Sequence, residues 1–423
     1  MTERILPFNE ALAEVLAHAG GLATPREVES LPLLDASSRV LAQFITADRD
    51  QPPFDRSTRD GYAVRAADIA EGRMLHVIGS VRAGDRWSGQ PLTHGEAIEI
   101  MTGAPLPAGA DAVLMVEHTT VAEEVLRVAE GRLLRPGENV VPRGAEAHTG
   151  DSLLPIGRIL GAAELAVAAG CGCGCASLQV FARPNVAIVA TGDELVELEA
   201  TPEPWQIRNS NSYALASLVR AEGGVAQRLA IAHDTLTDLR ERIAQGREAD
   251  LLLLSGGVSM GKYDLVEKVL ADAGAEFLFT GALIQPGKPV VFGRLPGRSG
   301  LQPGLSKPAN QWTYFFGLPG NPVSTQVCFH LFVAPLLKAL AGRSDRAPRF
   351  VEARLAEGVK GGTRVTRFLP AELTSAWDAV TVRVVGWQGS GDVAANARGN
   401  CYAVLPADVE AFHAGETVRV LLR

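Results

Sequence analysis

Residues Ala249 to Asp264 read A-D-L-L-L-L-S-G-G-V-S-M-G-K-Y-D, and the fold turns on how this stretch is taken. Leu251–Leu254 is a short apolar run that stops at glycines, which suits a strand buried on both faces. Leu265–Ala273 (L-V-E-K-V-L-A-D-A) then predicts a helix. Strand, glycine turn and helix together make an anion site. Glycine lets the backbone approach a phosphate, and helix-start N–H groups and the hydroxyls of Ser255 and Ser259 are available to hold it. An ordinary tight turn of an α/β protein has the same look. Asp264 argues for the anion site, because a carboxylate beside a phosphate cradle is repulsive unless a cation lies between them.

Around this stretch the strand–turn–helix pattern repeats. V-A-I-V-A-T-G-D-E-L from Val186 and S-Y-A-L-A-S-L-V-R-A-E-G-G from Ser212 precede it, which predicts a parallel α/β domain over 181–342. Val186–Ala190 is followed by Thr191-Gly192-Asp193-Glu194, and Val225–Ala232 by His233-Asp234. Loops at the carboxyl ends of parallel strands share one crevice, so Glu194, Asp234 and Asp264 are expected to converge there. Hard carboxylates around a phosphate cradle imply Mg²⁺ rather than zinc. The plainer role for each is a helix N-terminus, where acidic residues are favourable anyway. Gln285-Pro286-Gly287-Lys288-Pro289 adds a lysine held between prolines. Gly317-Leu318-Pro319-Gly320-Asn321-Pro322-Val323-Ser324 leads into a helix near Val323, a second possible anion site.

The flanks have a different texture. Asn9–His18 and Gly161–Ala169 predict helices, the first broken by Gly20-Gly21. Between them lie short β-like runs, L-H-V-I-G, A-I-E-I-M and A-V-L-M-V-E, separated by Gly and Pro. The chain therefore reads as a helical and extended domain made of 1–46 and 144–180, with a β-rich module at 47–143 inserted into it. Beyond the α/β domain, A-V-T-V-R-V-V and T-V-R-V-L-L predict a small β domain over 343–423. The polar, Pro/Gly-containing segment 298–311 reads as a surface loop. The expected class is α/β plus β, in an elongated multidomain chain.

Composition excludes several functions. With 423 residues, 47% of them apolar and 21% charged, the chain is globular rather than disordered. A formal charge of −8 argues against nucleic acid as the main partner. No apolar run approaches the roughly 20 residues of a membrane span, and the N-terminus has no secretory h-region, so the cytoplasm is expected. The five cysteines are an odd count that does not suggest a disulfide framework. Cys171, Cys173 and Cys175 alternate with glycine. They lack the C-x-x-C spacing and fourth ligand of a zinc or iron–sulfur site, and read instead as a strand with its sulfurs on one face.

Seven motifs then carry a resemblance. They are P-P-F-D-R-S-T-R-D-G-Y-A-V-R from Pro52, I-M-T-G-A-P-L-P-A-G-A-D-A-V from Ile100, T-G-D-E-L from Thr191, S-G-G-V-S-M-G-K-Y-D from Ser255, P-G-K-P from Pro286, G-L-P-G-N-P-V-S from Gly317 and G-N-C-Y-A-V-L from Gly399. In this order, over nearly the whole chain, they resemble the molybdopterin molybdenumtransferase family, which also supplies the C-terminal domain of gephyrin.

The resemblance implies a reaction in which adenylylated molybdopterin and molybdate are substrates. The pyrophosphate bond is cleaved with Mg²⁺ assistance, AMP is released and molybdenum enters the dithiolene. It implies four domains, the third resembling the molybdopterin adenylyltransferase, and an elongated homodimer. It implies catalytic roles for Asp60, Thr102, Glu194, Asp234, Asp264 and Lys288, with Glu194, Asp234 and Asp264 as metal ligands. Thr191, Gly192, Asp193, Ser255, Gly256, Gly257, Ser259, Pro319, Gly320, Asn321 and Ser390 are expected to bind the pterin substrate. Expected partners are a second copy, the molybdopterin adenylyltransferase and downstream cofactor-maturation proteins, with neither nucleic acid nor membrane. Two positions depart from the family pattern: Glu146 stands in R-G-A-E-A-H where an Asp is expected, and Gln285 precedes P-G-K-P where a lysine is common. Two other functions stay open on these residues, adenylyl transfer from ATP to molybdopterin and a non-catalytic, gephyrin-like scaffold. Because Asp60 belongs to the stretch leading into the inserted module and the cradle to the α/β domain, each site is expected to draw on two chains.

Overall fold

The structure, a computed structural model, describes residues 3–22, 27–72, 74–173, 177–257, 265–296 and 312–423. Ser259, Asp264 and the 298–311 segment lie outside the described residues.

The central sheet contains β1 (Asn185–Ala190), β2 (Val225–Arg228), β3 (Leu251–Ser255), β4 (Glu276–Phe279), β5 (Val291–Pro296) and β6 (Trp312–Leu318). Their order across the sheet is β2-β1-β3-β6-β5-β4. Helices α1 (Asn211–Ala221), α2 (Leu236–Gly246) and α3 (Leu265–Asp272) connect the strands, and α4 (Pro322–Cys328) follows β6. β3 explains the arrangement. Leu251 and Leu253 enter a core with Val15, Phe316 and Val323, while Leu252 and Leu254 enter a second core with Leu239, Ile243 and Val266. Each of these leucines is fully buried and contributes about 2 kcal/mol. A strand that feeds two cores has no use for polar alternation, which is why its sequence is an unbroken apolar run.

The sheet is mixed rather than parallel throughout. β2, β1, β3 and β6 run parallel, but β5 pairs antiparallel with both β6 and β4. The link from β4 to β5 contains no helix, and parallel neighbours need a crossover. Register sets the carboxyl edge, with Ala190, Ser255 and Leu318 aligned across three strands. β5 starts at the same edge, where Val291 faces Gly317.

Pro322–Leu340 is long and apolar enough to cross a membrane by length and composition, yet 94% of its apolar window is buried. It is the core helix of the α/β unit. The same core takes in Phe368, Tyr402, Val404 and Leu421 from the C-terminal β-barrel. That barrel orders Thr366–Ser375, Val380–Val384, Phe350–Leu355, Thr417–Leu422 and Cys401–Leu405, and the last strand closes onto the first. Ile284–Gln285 joins it in parallel, with Gln285 in register beside Arg367.

Toward the N-terminus, the first helix runs Phe8–Gly21, through the glycines expected to break it. A six-stranded sheet is built from Gly61–Val64, Leu75–Val81, Glu96–Ile100, Ala112–Met115, Thr119–Ala122 and Val125–Val128, and it encloses two cores of its own. The chain enters and leaves it side by side. Arg56–Ser57 pairs with Val140–Val141, and Ile45–Thr46 with Ser152–Leu154. Where a strand was expected from Cys171, the described residues Cys171–Cys173 form a turn: helix Ala162–Gly170 ends at Cys171, and Gly172 at φ 65° turns the chain left-handed, as helix ends commonly do. Cys171 is buried and its sulfur accepts from Gln51 Nε2 at 3.3 Å, while Cys175 lies outside the described residues.

Candidate active site

The carboxyl edge of the central sheet opens into a cleft of about 300 Å³. One wall is acidic. Thr191 bridges to Ala232, which places the loop after β2 beside the loop after β1. Asp193 Oδ1 accepts from the Asp234 N–H at 3.2 Å and lies 3.2 Å from His233 Nδ1. Partial burial, and then the charges of Asp193 and Glu194, push the Asp234 carboxyl above the usual carboxylate range. Glu194 and Asp234 both line the cleft.

The floor is the glycine turn after β3. Gly256 and Gly257 sit at φ 92° and 66°, and a Cβ on Gly256 would come within 2.5 Å of the Thr191 carbonyl oxygen. Only glycine lets these backbones approach so closely. Thr191 is buried, and its Oγ1 has no hydrogen-bond partner among the described residues. A buried orphan hydroxyl on the floor of a cleft is a ready donor for a ligand.

The opposite wall comes from the turn after β6. Pro319, Gly320 and Asn321 line it, and Asn321 Nδ2 donates to Ser390 Oγ at 2.8 Å. The Val323 N–H also donates to the Ser390 carbonyl at 3.0 Å, so a barrel loop is fastened to the start of α4. Pro289, just before β5, completes this wall, and Lys288 beside it is exposed. Across the edge, then, carboxylates stand on the β1–β2 side, and a hydroxyl and a lysine on the β6–β5 side.

Sequence reasoning missed two residues here. Asn211, first in α1, donates through Nδ2 to Ser255 Oγ at 3.0 Å and to the Gly320 carbonyl at 2.7 Å, tying floor to wall. The polar run N-S-N-S from Asn209 was the available signal. Arg367 was invisible, because only the parallel pairing sets it beside Gln285. Its Nη1 donates to the Lys360 carbonyl at 2.7 Å, and it supplies a cation next to the position where one had gone missing.

Asp60 and Thr102 meet each other but not this cleft. Asp60 precedes Gly61–Val64, Thr102 follows Glu96–Ile100, and Gly61 faces Ile100. The Thr102 N–H and hydroxyl both donate to Asp60 Oδ1, at 2.7 and 2.8 Å, and hold that carboxyl below its usual range. Among the described residues no hydrogen bond or ion pair joins 56–141 to the cleft. Glu146 stands at the root of this module, where its Oε1 lies 3.3 Å from Arg56 Nη2. No three His, Cys, Asp or Glu among the described residues form a metal-holding group.

Three family models match the chain. They are described as the MoeA N-terminal region (domain I and II) over residues 6–172, a probable molybdopterin binding domain over 187–339, and the MoeA C-terminal region (domain IV) over 352–422. A molybdopterin molybdenumtransferase of Staphylococcus aureus (strain COL) is 31% identical over 429 residues, covering 99% of this chain and 95% of its own. One from Nostoc sp. is 34% identical over 410 residues, covering 95% and 90%. The crystal structure of a molybdopterin biosynthesis protein from Pyrococcus horikoshii OT3 superposes with TM-score 0.78 at 28% identity, covering 99% of this chain and all of that one.

Proposed function

The chain belongs to the MoeA family of molybdopterin molybdenumtransferases, enzymes of molybdenum cofactor biosynthesis, and from that membership we propose how its cleft performs the transfer. The substrates are adenylylated molybdopterin and molybdate. Water splits the pyrophosphate bridge to give AMP and a pterin phosphate, and molybdenum exchanges oxygen ligands for the two dithiolene sulfurs.

One observation carries this reading: a glycine floor separates an acidic wall, Glu194 and Asp234, from an uncharged one of Pro289, Pro319, Gly320 and Asn321, with the exposed Lys288 next to Pro289 in the chain. The pyrophosphate rests on Gly256 and Gly257, with the orphan Thr191 hydroxyl as donor. The oxyanion and the dithiolene end lie toward Lys288 and Ser390, with Arg367 near, because opposite charge draws molybdate there. Asp234 and Glu194 repel each other, and two hard carboxylates beside substrate phosphates are what Mg²⁺ commonly takes. These two residues would hold the ion, with Asp264 the expected third. When bound, Mg²⁺ supplies neutralising charge to the bridging phosphates.

The test is incubation with adenylylated molybdopterin, molybdate and Mg²⁺ while AMP is measured. AMP release without ATP is expected. Consumption of ATP on unadenylylated molybdopterin would make the protein an adenylyltransferase instead, and no reaction with either would leave a scaffold. Within this reading, Lys288→Gln should raise the molybdate concentration for half-saturation several-fold and Gln285→Lys should lower it. Titrating molybdate against AMP release measures both, and unchanged values would leave Lys288 a solvated turn residue.

The working unit in this proposal is a two-fold homodimer. Asp60 and Thr102 have no link to their own chain's cleft among the described residues, and a symmetric partner supplies such a pair twice over.

A further inference from the structure

Between Glu194 and Asn209 the chain leaves the cleft and returns to it. Leu195–Val196 pairs in parallel with Ile207–Arg208. The Ile207 N–H donates to the Glu194 carbonyl and the Asn209 N–H to the Val196 carbonyl, each at 2.9 Å. Glu194 lines the cleft and Asn211 ties Ser255 to Gly320, so both ends of this flap are fixed to the site. Its surface is unusual for an exposed loop. Leu198, Trp205 and Ile207 are 53%, 73% and 58% exposed, large apolar side chains clustered on one short segment. Beneath it the Arg228 guanidinium lies 3.7 Å from the centre of the Tyr213 ring and bonds Glu197 at 3.0 Å, so the base of the flap is braced.

Sheet order decides which end of a substrate the flap can meet. It follows β1, on the opposite side of β3 from the turn after β6 that carries Asn321 and Ser390. If the dithiolene and molybdate lie toward Ser390 and Lys288, the nucleoside end of the same molecule crosses the glycine floor toward the flap. We propose that the flap is the platform for the adenine ring of the adenylylated substrate, with Trp205 as its stacking surface. The inference rests on the reading of the cleft given under the proposed function. A flat base has an aromatic face to offer, and stacking on an indole covers apolar surface on both partners.

AMP and ribose 5-phosphate test this directly, because they share the phosphate and differ by the base. Calorimetric titration of each in Mg²⁺ buffer should show AMP binding about tenfold more tightly to the unaltered protein. Trp205→Ala should close most of that gap by weakening AMP alone, and Trp205→Phe should keep much of it. In turnover, Trp205→Ala should raise KM for the adenylylated pterin with kcat little changed. An equal gap in Trp205→Ala, or no gap in the unaltered protein, overturns the platform, whatever sedimentation says about subunit contacts at the flap. The proposed reaction is judged separately, by AMP release from the full substrate, so a platform that fails while AMP is still released leaves that reaction standing.

Discussion

Glu194→Gln is expected to cut AMP release from adenylylated molybdopterin by about a hundredfold or more while leaving the fold intact. Glu194 is exposed, lines the cleft, and among the described residues contributes only its backbone carbonyl to the hydrogen bonding of the flap. Removing its charge therefore costs the structure little, and the loss falls on whatever cation and phosphate the carboxylate serves. Asp234→Asn adds a second readout with a sign that can be worked out. The Asp234 carboxyl is raised in the folded protein, by burial and by Asp193 and Glu194. A raised acid favours the neutral form, so its contribution to stability is present at low pH and lost as pH rises through the folded value. At neutral pH the amide should then raise the melting temperature slightly while turnover falls. Wild-type AMP release by either variant at low Mg²⁺ would remove that residue from the chemistry.

The second large effect is recovery rather than loss. Asp60→Ala and Glu194→Ala should each be nearly inactive as pure homodimers. In a mixed dimer, one site would combine both lesions and the other would combine the intact module of one chain with the intact cleft of its partner. Roughly half the wild-type rate is expected if the two sites act independently. Co-expression with two different tags and tandem purification isolates that species, and AMP release reads it. A folded mixed dimer with no activity would place Asp60 in its own chain's site or outside the reaction. Thr102→Ala in place of Asp60→Ala extends the experiment to Thr102, whose two hydrogen bonds hold the Asp60 carboxylate in place.

Much of this arrangement was legible because it is local. The apolar run of β3, the glycines after it and the acidic residues after β1 and β2 are consequences of short-range pattern, and the cleft stands where those patterns end. What escaped depends on pairing between distant segments. Arg367 reaches Gln285 only through a parallel ladder; Ser390 was expected only through the family resemblance, and it is the bonds from Asn321 and Val323 that bring it beside the cleft wall. The reversed direction of β5 escaped for the same reason, since the pattern of a buried strand does not encode its direction. At Cys171 the alternation of cysteine and glycine imitated a strand, but the helix before it needed a left-handed stop, and Gly172 supplied one.

The core shared between the helix Pro322–Leu340 and the barrel has a thermodynamic consequence. Phe368, Tyr402 and Leu421 are buried against the same cluster as Phe329 and Phe332, so neither the α/β unit nor the barrel has a complete interior without the other. They should melt as one cooperative block. The six-stranded module, with two enclosed cores and only short ladders at its root, is free to unfold by itself. Heat would then separate a lever from its anvil, and the wall holding Ser390 and Lys288 would outlast the arm that carries Asp60.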